Sequence, residues 1–173
     1  GVTGFPPAIC STMRRSAIEI GHFDHILPYI DKGIGVTQID GMLYSPLAQR
    51  SMDEPYTVYG LVAQKMERAE DGLSLRFFIN PQARFADGKP ITAEDVRYTY
   101  DLLMTQGSLR YRTQFADVKG VEVEAPLTVR FDFKSNENRT LPLDIATLPV
   151  FPEHWWKTRD FAGGGGYEAP LGS

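Results

Sequence analysis

The sequence predicts an α/β chain of the α+β kind, in which a mixed, largely antiparallel sheet packs against helices. Three observations carry that expectation. Leu73, Leu75, Phe77 and Ile79 alternate with Ser74, Arg76 and Asn80, the period of a half-buried strand. Soon after, Val96, Tyr100, Leu103 and Met104 recur at helical spacing. Further on, Val121 and Val123 alternate with Glu122 and Glu124, and Val129, Phe131 and Phe133 with Arg130, Asp132 and Lys134. The intervening Ala125-Pro126 makes these two runs a hairpin. A chain of 173 residues with 42% hydrophobic content can bury one sizeable core.

Taken in order, residues 1–12 are rich in small residues and prolines, without a clean period, and read as a loop or arm. Residues 16–20 suit a short strand, and residues 22–35 an irregular connection broken by Pro28, Gly33 and Gly35. Over residues 38–49, Ile39, Met42, Leu43 and Leu47 fall at helical spacing, so a helix is expected there, bent or ended by Pro46. After the strand at 73–79, Asp87-Gly88 supplies a turn that accepts positive φ, and Pro90 stiffens its exit. Thr92 can cap the following helix against the N–H of Asp95, whose carboxylate sits at the positive end of the dipole.

Residues 109–112, Leu-Arg-Tyr-Arg, are expected to form a polar-aromatic loop. A glutamate facing Arg130 across the hairpin would be surface pairing, worth at most ~1 kcal/mol. Residues 138–147 suit a short helix with Pro142 in its first turn. The apolar, aromatic stretch 149–156 follows, and then four glycines at 163–166 read as a mobile linker. No internal repeat is evident.

Composition excludes several classes. A net charge of −4 with interspersed signs argues against a nucleic-acid partner. No run approaches the ~18 apolar residues that a membrane span needs. Residues 1–9 lack the charged, then apolar, then small-residue order of a signal peptide, so no secretory signal is expected among them. Cys10 is the single cysteine, which rules out an internal disulfide and a thiolate metal cluster.

His22 and His25 are three apart, and His154 stands beside two tryptophans, with no cysteine partner and no HxxxH pattern. No metal and no cofactor is expected. Ser45 precedes Pro46 without a G-x-S-x-G frame. Glu94 and Asp95 are explained by the helix dipole, and the four glycines lack a Gly-Lys-Ser/Thr ending. No catalytic residue emerges, so the chain is not expected to be an enzyme. The residues alone leave open an interaction or scaffold domain and, further off, a secreted hydrolase.

The run Arg76-Phe77-Phe78-Ile79, then Ala83-Arg84-Phe85 and Asp87-Gly88-Lys89-Pro90-Ile91-Thr92-Ala93-Glu94-Asp95-Val96, resembles the peptide- and nickel-type extracellular solute-binding proteins of ABC importers, the oligopeptide-binding protein family. The flanks agree. Phe23-Asp24-His25-Ile26-Leu27-Pro28-Tyr29 is similar to an early family element, with Leu27 where asparagine is usual. Leu43-Tyr44-Ser45-Pro46-Leu47 resembles a helix end, Tyr59-Gly60-Leu61-Val62-Ala63 the step before the sheet, and Val150-Phe151-Pro152-Glu153-His154-Trp155-Trp156 a segment of the oligopeptide and microcin-peptide subgroup.

The resemblance implies the N-terminal part and small lobe of a periplasmic binding protein type II-like fold. Residues 1–15 would be a leader or extended arm, 16–50 the start of the main lobe and the cleft connection, 51–160 the small lobe, and 161–173 a Gly-rich linker toward a lobe absent from this fragment. It implies capture of a short peptide or peptide-like solute in the periplasm, by a monomer that docks on an inner-membrane ABC permease. It places Tyr111 over the ligand backbone, and Asp31, Lys32, Gly33 and Ile34 along the cleft, where glycine suits close backbone approach. The residues by themselves also allow a surface tyrosine packing on its own loop and an ordinary glycine turn. Peptide, nickel or sugar as ligand stays open at this point.

Overall fold

A computed structural model describes residues 27–32, 43–53, 57–163 and 171–172. Among them run β1 (Ala48–Arg50), β2 (Val58–Gly60), β3 (Ala63–Arg68), β4 (Ser74–Ile79), α1 (Ala93–Gln106), α2 (Leu109–Gln114), β5 (Val118–Ala125), β6 (Thr128–Phe133), α3 (Leu141–Ala146) and α4 (Glu153–Trp156). β1 and β2 form a small antiparallel pair. The main sheet has strand order β3-β4-β6-β5, with every pairing antiparallel. β4 reaches its neighbour β6 only after the chain has passed through both helices and β5.

The alternation in β4 and β6 sets the layers. Leu75, Phe77 and Ile79 of β4 and Val129, Phe131 and Phe133 of β6 are buried on one face. Phe77 and Phe131 meet edge to face at 5.8 Å. α1 covers this face with Val96, Thr99, Tyr100, Leu102 and Leu103, and Tyr100 stands edge-on to Phe131 at 6.0 Å. Each such large apolar side chain contributes about 1.5–3 kcal/mol by leaving water. Leu73, expected to join the row, lies just outside the strand and is 40% exposed.

The turn between strand and helix is built as its residues dictate. Gly88 takes φ 84°, a conformation glycine adopts without strain. Phe85 N–H donates to the Lys89 carbonyl at 2.9 Å, and Ile91 N–H to Ala83 at 3.1 Å. Thr92 and Asp95 form a capping box at the start of α1. The β5–β6 turn also supports this helix, because the Pro126 carbonyl accepts the Ala93 N–H at 2.9 Å.

Two sequence expectations fail here. The helix expected over residues 38–49 does not continue to its end: Ala48–Arg50 is strand β1. Pro46 cannot donate a helical hydrogen bond, and the chain instead lies against the segment before α4. Leu47 N–H donates to Leu148 at 3.2 Å and Val150 N–H to Ser45 at 3.2 Å. Residues 38–42, like 1–26, lie outside the described residues. The loop expected at 109–112 is the helix α2: Ser108 stands at its N-cap without a side-chain capping bond, and Asp31, distant in sequence, accepts the Leu109 N–H of the first turn.

Candidate functional site

Tyr111, on α2, meets the segment 29–32 at one corner of the molecule. The buried ring of Tyr29 lies 6.3 Å from Tyr111, 6.1 Å from Tyr44 and 5.1 Å from Phe151. Tyr111 is half-buried and stacks on Phe115 at 6.2 Å, with 26° between planes. Two hydrogen bonds join the segments: Ser108 N–H donates to the Tyr29 carbonyl at 2.9 Å, and Leu109 N–H to Asp31 Oδ2 at 2.7 Å. Asp31 and Tyr111, distant in sequence, are thus brought together. The Asp31 carboxylate is engaged by the first turn of α2, while Lys32 is exposed. Gly33 and Ile34 lie outside the described residues.

A buried polar network holds the wall behind this corner. The Asp95 carboxylate is only 6% exposed and accepts three hydrogen bonds. Thr92 N–H and Thr92 Oγ1 each donate to Oδ2 at 2.9 Å, and Glu153 N–H to Oδ1 at 3.0 Å. One turn on, Thr99 Oγ1 donates to the Asp95 carbonyl at 2.7 Å and accepts Phe151 N–H at 2.8 Å. These bonds fasten residues 151–153 to α1, and Phe151 carries the aromatic cluster to Tyr29. Trp156 Nε1 donates to the Tyr44 hydroxyl at 3.1 Å. Burial pushes the Tyr44 pKa far up, and the Trp156 donor only partly offsets it, so this hydroxyl stays neutral. Sequence reading missed the network, although Asp95 and Thr99 at i, i+4 on the buried face were its visible trace.

His154 has a structural partner. Its Nε2 lies 2.8 Å from Asp87 Oδ2, and its ring stands edge-on to Phe85 at 5.8 Å. Desolvation raises the Asp87 carboxyl, but the Lys89 N–H and the His154 ring outweigh it and hold the carboxyl below its usual value. Among the described residues no three His, Cys, Asp or Glu side chains gather as a metal site, and no helix is long and apolar enough to cross a membrane. His22, His25 and Cys10 lie outside the described residues. Ser45 lines an open depression of 210 Å³ with Leu61, Val62, Ala83, Arg84 and Ile91. No feature of the sequence as read above announced it.

The comparisons with known proteins agree on one group. The profile described as bacterial extracellular solute-binding proteins, family 5 middle, matches residues 57–173. A putative binding protein of Brucella melitensis is 34% identical over 183 residues, covering 99% of this chain and 30% of the relative. A peptidoglycan-binding protein of Agrobacterium fabrum is 35% identical over 149 residues, covering 82% of this chain and 24% of the relative. In structure, the chain is similar to an oligopeptide-binding protein of Bacillus subtilis in complex with a nonapeptide. That match has a TM-score of 0.64 at 23% identity, over 81% of this chain and 27% of the other, which speaks to the fold alone. The chain spans about 30% of the length of the first curated relatives it matches. From the matched profile and these relatives, the chain belongs to family 5 of the bacterial extracellular solute-binding proteins.

Proposed function

We propose that the protein carrying this chain captures peptides or peptide-like solutes in the periplasm for an ABC importer, and that Tyr111 with Asp31, Lys32, Gly33 and Ile34 forms part of its ligand wall. In this reading residues 16–50 open the main lobe, residues 51–160 form the smaller lobe, and residues 161–173 lead toward the other. The protein works as a monomer without catalysis, closing on its solute and then docking on a membrane permease. The observation that carries the reading is the corner itself. Tyr111 is half-buried and braced from below by Phe115, so the ring keeps one orientation. A stacked, partly exposed tyrosine offers an apolar face at little entropic cost. Beside it runs a backbone segment tied down by Ser108 and Leu109, the kind of surface that can meet an extended chain by main-chain pairing.

Peptide is favoured as the ligand because two relatives point that way by their descriptions, the peptidoglycan-binding protein and a probable peptide-binding protein of Agrobacterium fabrum that is 31% identical over 146 residues. The test is calorimetric titration of the full-length protein with a defined set of short peptides, intact and with Tyr111→Ala or Tyr111→Phe. The expected result is saturable binding that weakens about tenfold in Tyr111→Ala, a change of about 1.4 kcal/mol, and is kept in Tyr111→Phe. Full affinity in Tyr111→Ala would remove Tyr111 from the site. A protein that takes up none of the peptides would point instead to a scaffold or interaction role.

A further inference from the structure

We propose that the depression beside Arg84 is a second binding site, for a small aliphatic carboxylate. It lies where the β1–β2 pair meets the turn before α1, and not in the Tyr111 corner. Its wall combines two chemistries. Leu61, Val62, Ala83 and Ile91 are apolar; Val62 and Ile91 are buried, while Leu61 is 45% exposed at the rim. Arg84 supplies the charge. Its Nη1 donates to the Pro81 carbonyl at 2.7 Å and to the Ala83 carbonyl at 2.9 Å, which fixes the guanidinium plane against its own loop. Both Nη1 protons are then used, and Nε with Nη2 remains as the side-on fork that matches a carboxylate.

No carboxylate among the described residues pairs with Arg84. The acid closest in sequence, Asp87, is engaged by His154 and by the Lys89 N–H. A cation held in place beside apolar side chains, with no carboxylate partner among the described residues, is complementary to an anion bearing a short hydrocarbon group. The size sets a limit. At 210 Å³ the depression is smaller than the ~300–1,000 Å³ of pockets for drug-sized ligands. It therefore takes a single short branched acid, free or as the last residue of a peptide.

The site does not depend on the peptide reading and is tested apart from it. Full-length protein with labelled methyl groups is titrated by NMR with isovalerate, with uncharged isovaleramide and with the tripeptide Gly-Gly-Leu. Saturable shifts at Leu61, Val62 and Ile91 are expected with isovalerate, and at least tenfold weaker ones with the amide. Arg84→Gln should abolish the response. Because that change also removes loop hydrogen bonds, Leu61→Glu provides a second check: a carboxylate at the exposed rim should occupy Arg84 and weaken isovalerate binding. A tripeptide that matches isovalerate assigns the site to peptide ends, and isovalerate acting alone assigns it to free acids. No saturable shift, an equal response to the amide, or unchanged binding in Arg84→Gln would overturn the proposal. None of these results bears on Tyr111.

Discussion

Asp95 shows how much one side chain can organise. It would pass as an ordinary first-turn acid, placed there by the helix dipole. Its carboxylate in fact joins the start of α1 to the start of α4 through Glu153 N–H, as well as closing the capping box with Thr92. Removing it leaves partly buried donors without an acceptor, which is costlier than losing a surface pair. Asp95→Ala should therefore destabilise the protein by about 2–4 kcal/mol, and Asp95→Asn, which keeps an acceptor, by about half as much. The urea midpoint of each variant, followed by tryptophan fluorescence, checks this. Equal midpoints for wild type and Asp95→Ala would show that the network is dispensable. The cap was legible because its two residues are neighbours in sequence. The bond to Glu153 was not, since the chain folds back over 58 positions to make it.

The elements divide by how local their causes are. β4, α1, β5 and β6 were readable because each shows its burial as a period in its own residues. β3 was not, since five of its six residues are exposed on an edge strand and no alternation survives. Ala48 and Gln49 fell at the end of the stretch read as helix, bent or ended by Pro46, and it is the antiparallel pairing of β1 with β2 that selects strand there. The outer face of the main sheet carries Glu67, Arg76, Arg130 and Glu122 in one row across all four strands. Two arginines thus stand side by side, and Glu124 bridges them: Arg76 Nε donates to it at 2.6 Å and Arg130 Nη1 at 2.8 Å. Glu122 and Asp132 also accept from Arg130.

The bond from Arg76, reinforced by Arg130 against a smaller opposing effect of desolvation, holds the Glu124 carboxyl below its usual value. A lowered folded-state pKa means stabilisation that is present above the unfolded value, about 4.3, and lost as pH falls through the folded one. Glu124→Gln should be less stable than wild type at pH 7, with the gap closing on acidification below about pH 4. Urea midpoints at both ends of that range measure it, and a gap independent of pH would contradict the assignment.

At the scale of the whole molecule, the question is what one portion of a longer relative can do. A two-lobed receptor draws its affinity from contacts that the ligand makes with both lobes at once, so that closure and binding support each other. In the proposed reading, Tyr111 and the segment beside it supply only one side of such a cleft. The isolated 173-residue chain is expected to bind short peptides far more weakly than the full-length protein, with calorimetric titration of both as the check. Tight, stoichiometric binding by the isolated chain would show that a single wall is enough and would undo the closure argument.

The sequence alone determined the fold class, the strand–turn–helix unit around Asp87-Gly88, the β5–β6 hairpin and the resemblance that led to the family. All of these depend on residues close together in the chain, where hydrophobic period, turn chemistry and capping act directly. Tertiary structure alone decided that the first turn of α2 meets Asp31, that Ala48–Arg50 pairs with β2 as a strand, that His154 serves Asp87, and that Arg84 lines an apolar hollow with no carboxylate partner among the described residues. Each of those outcomes depends on a partner far away in sequence. Spacing along a chain records which face of an element is apolar, but not which distant group will come to meet it.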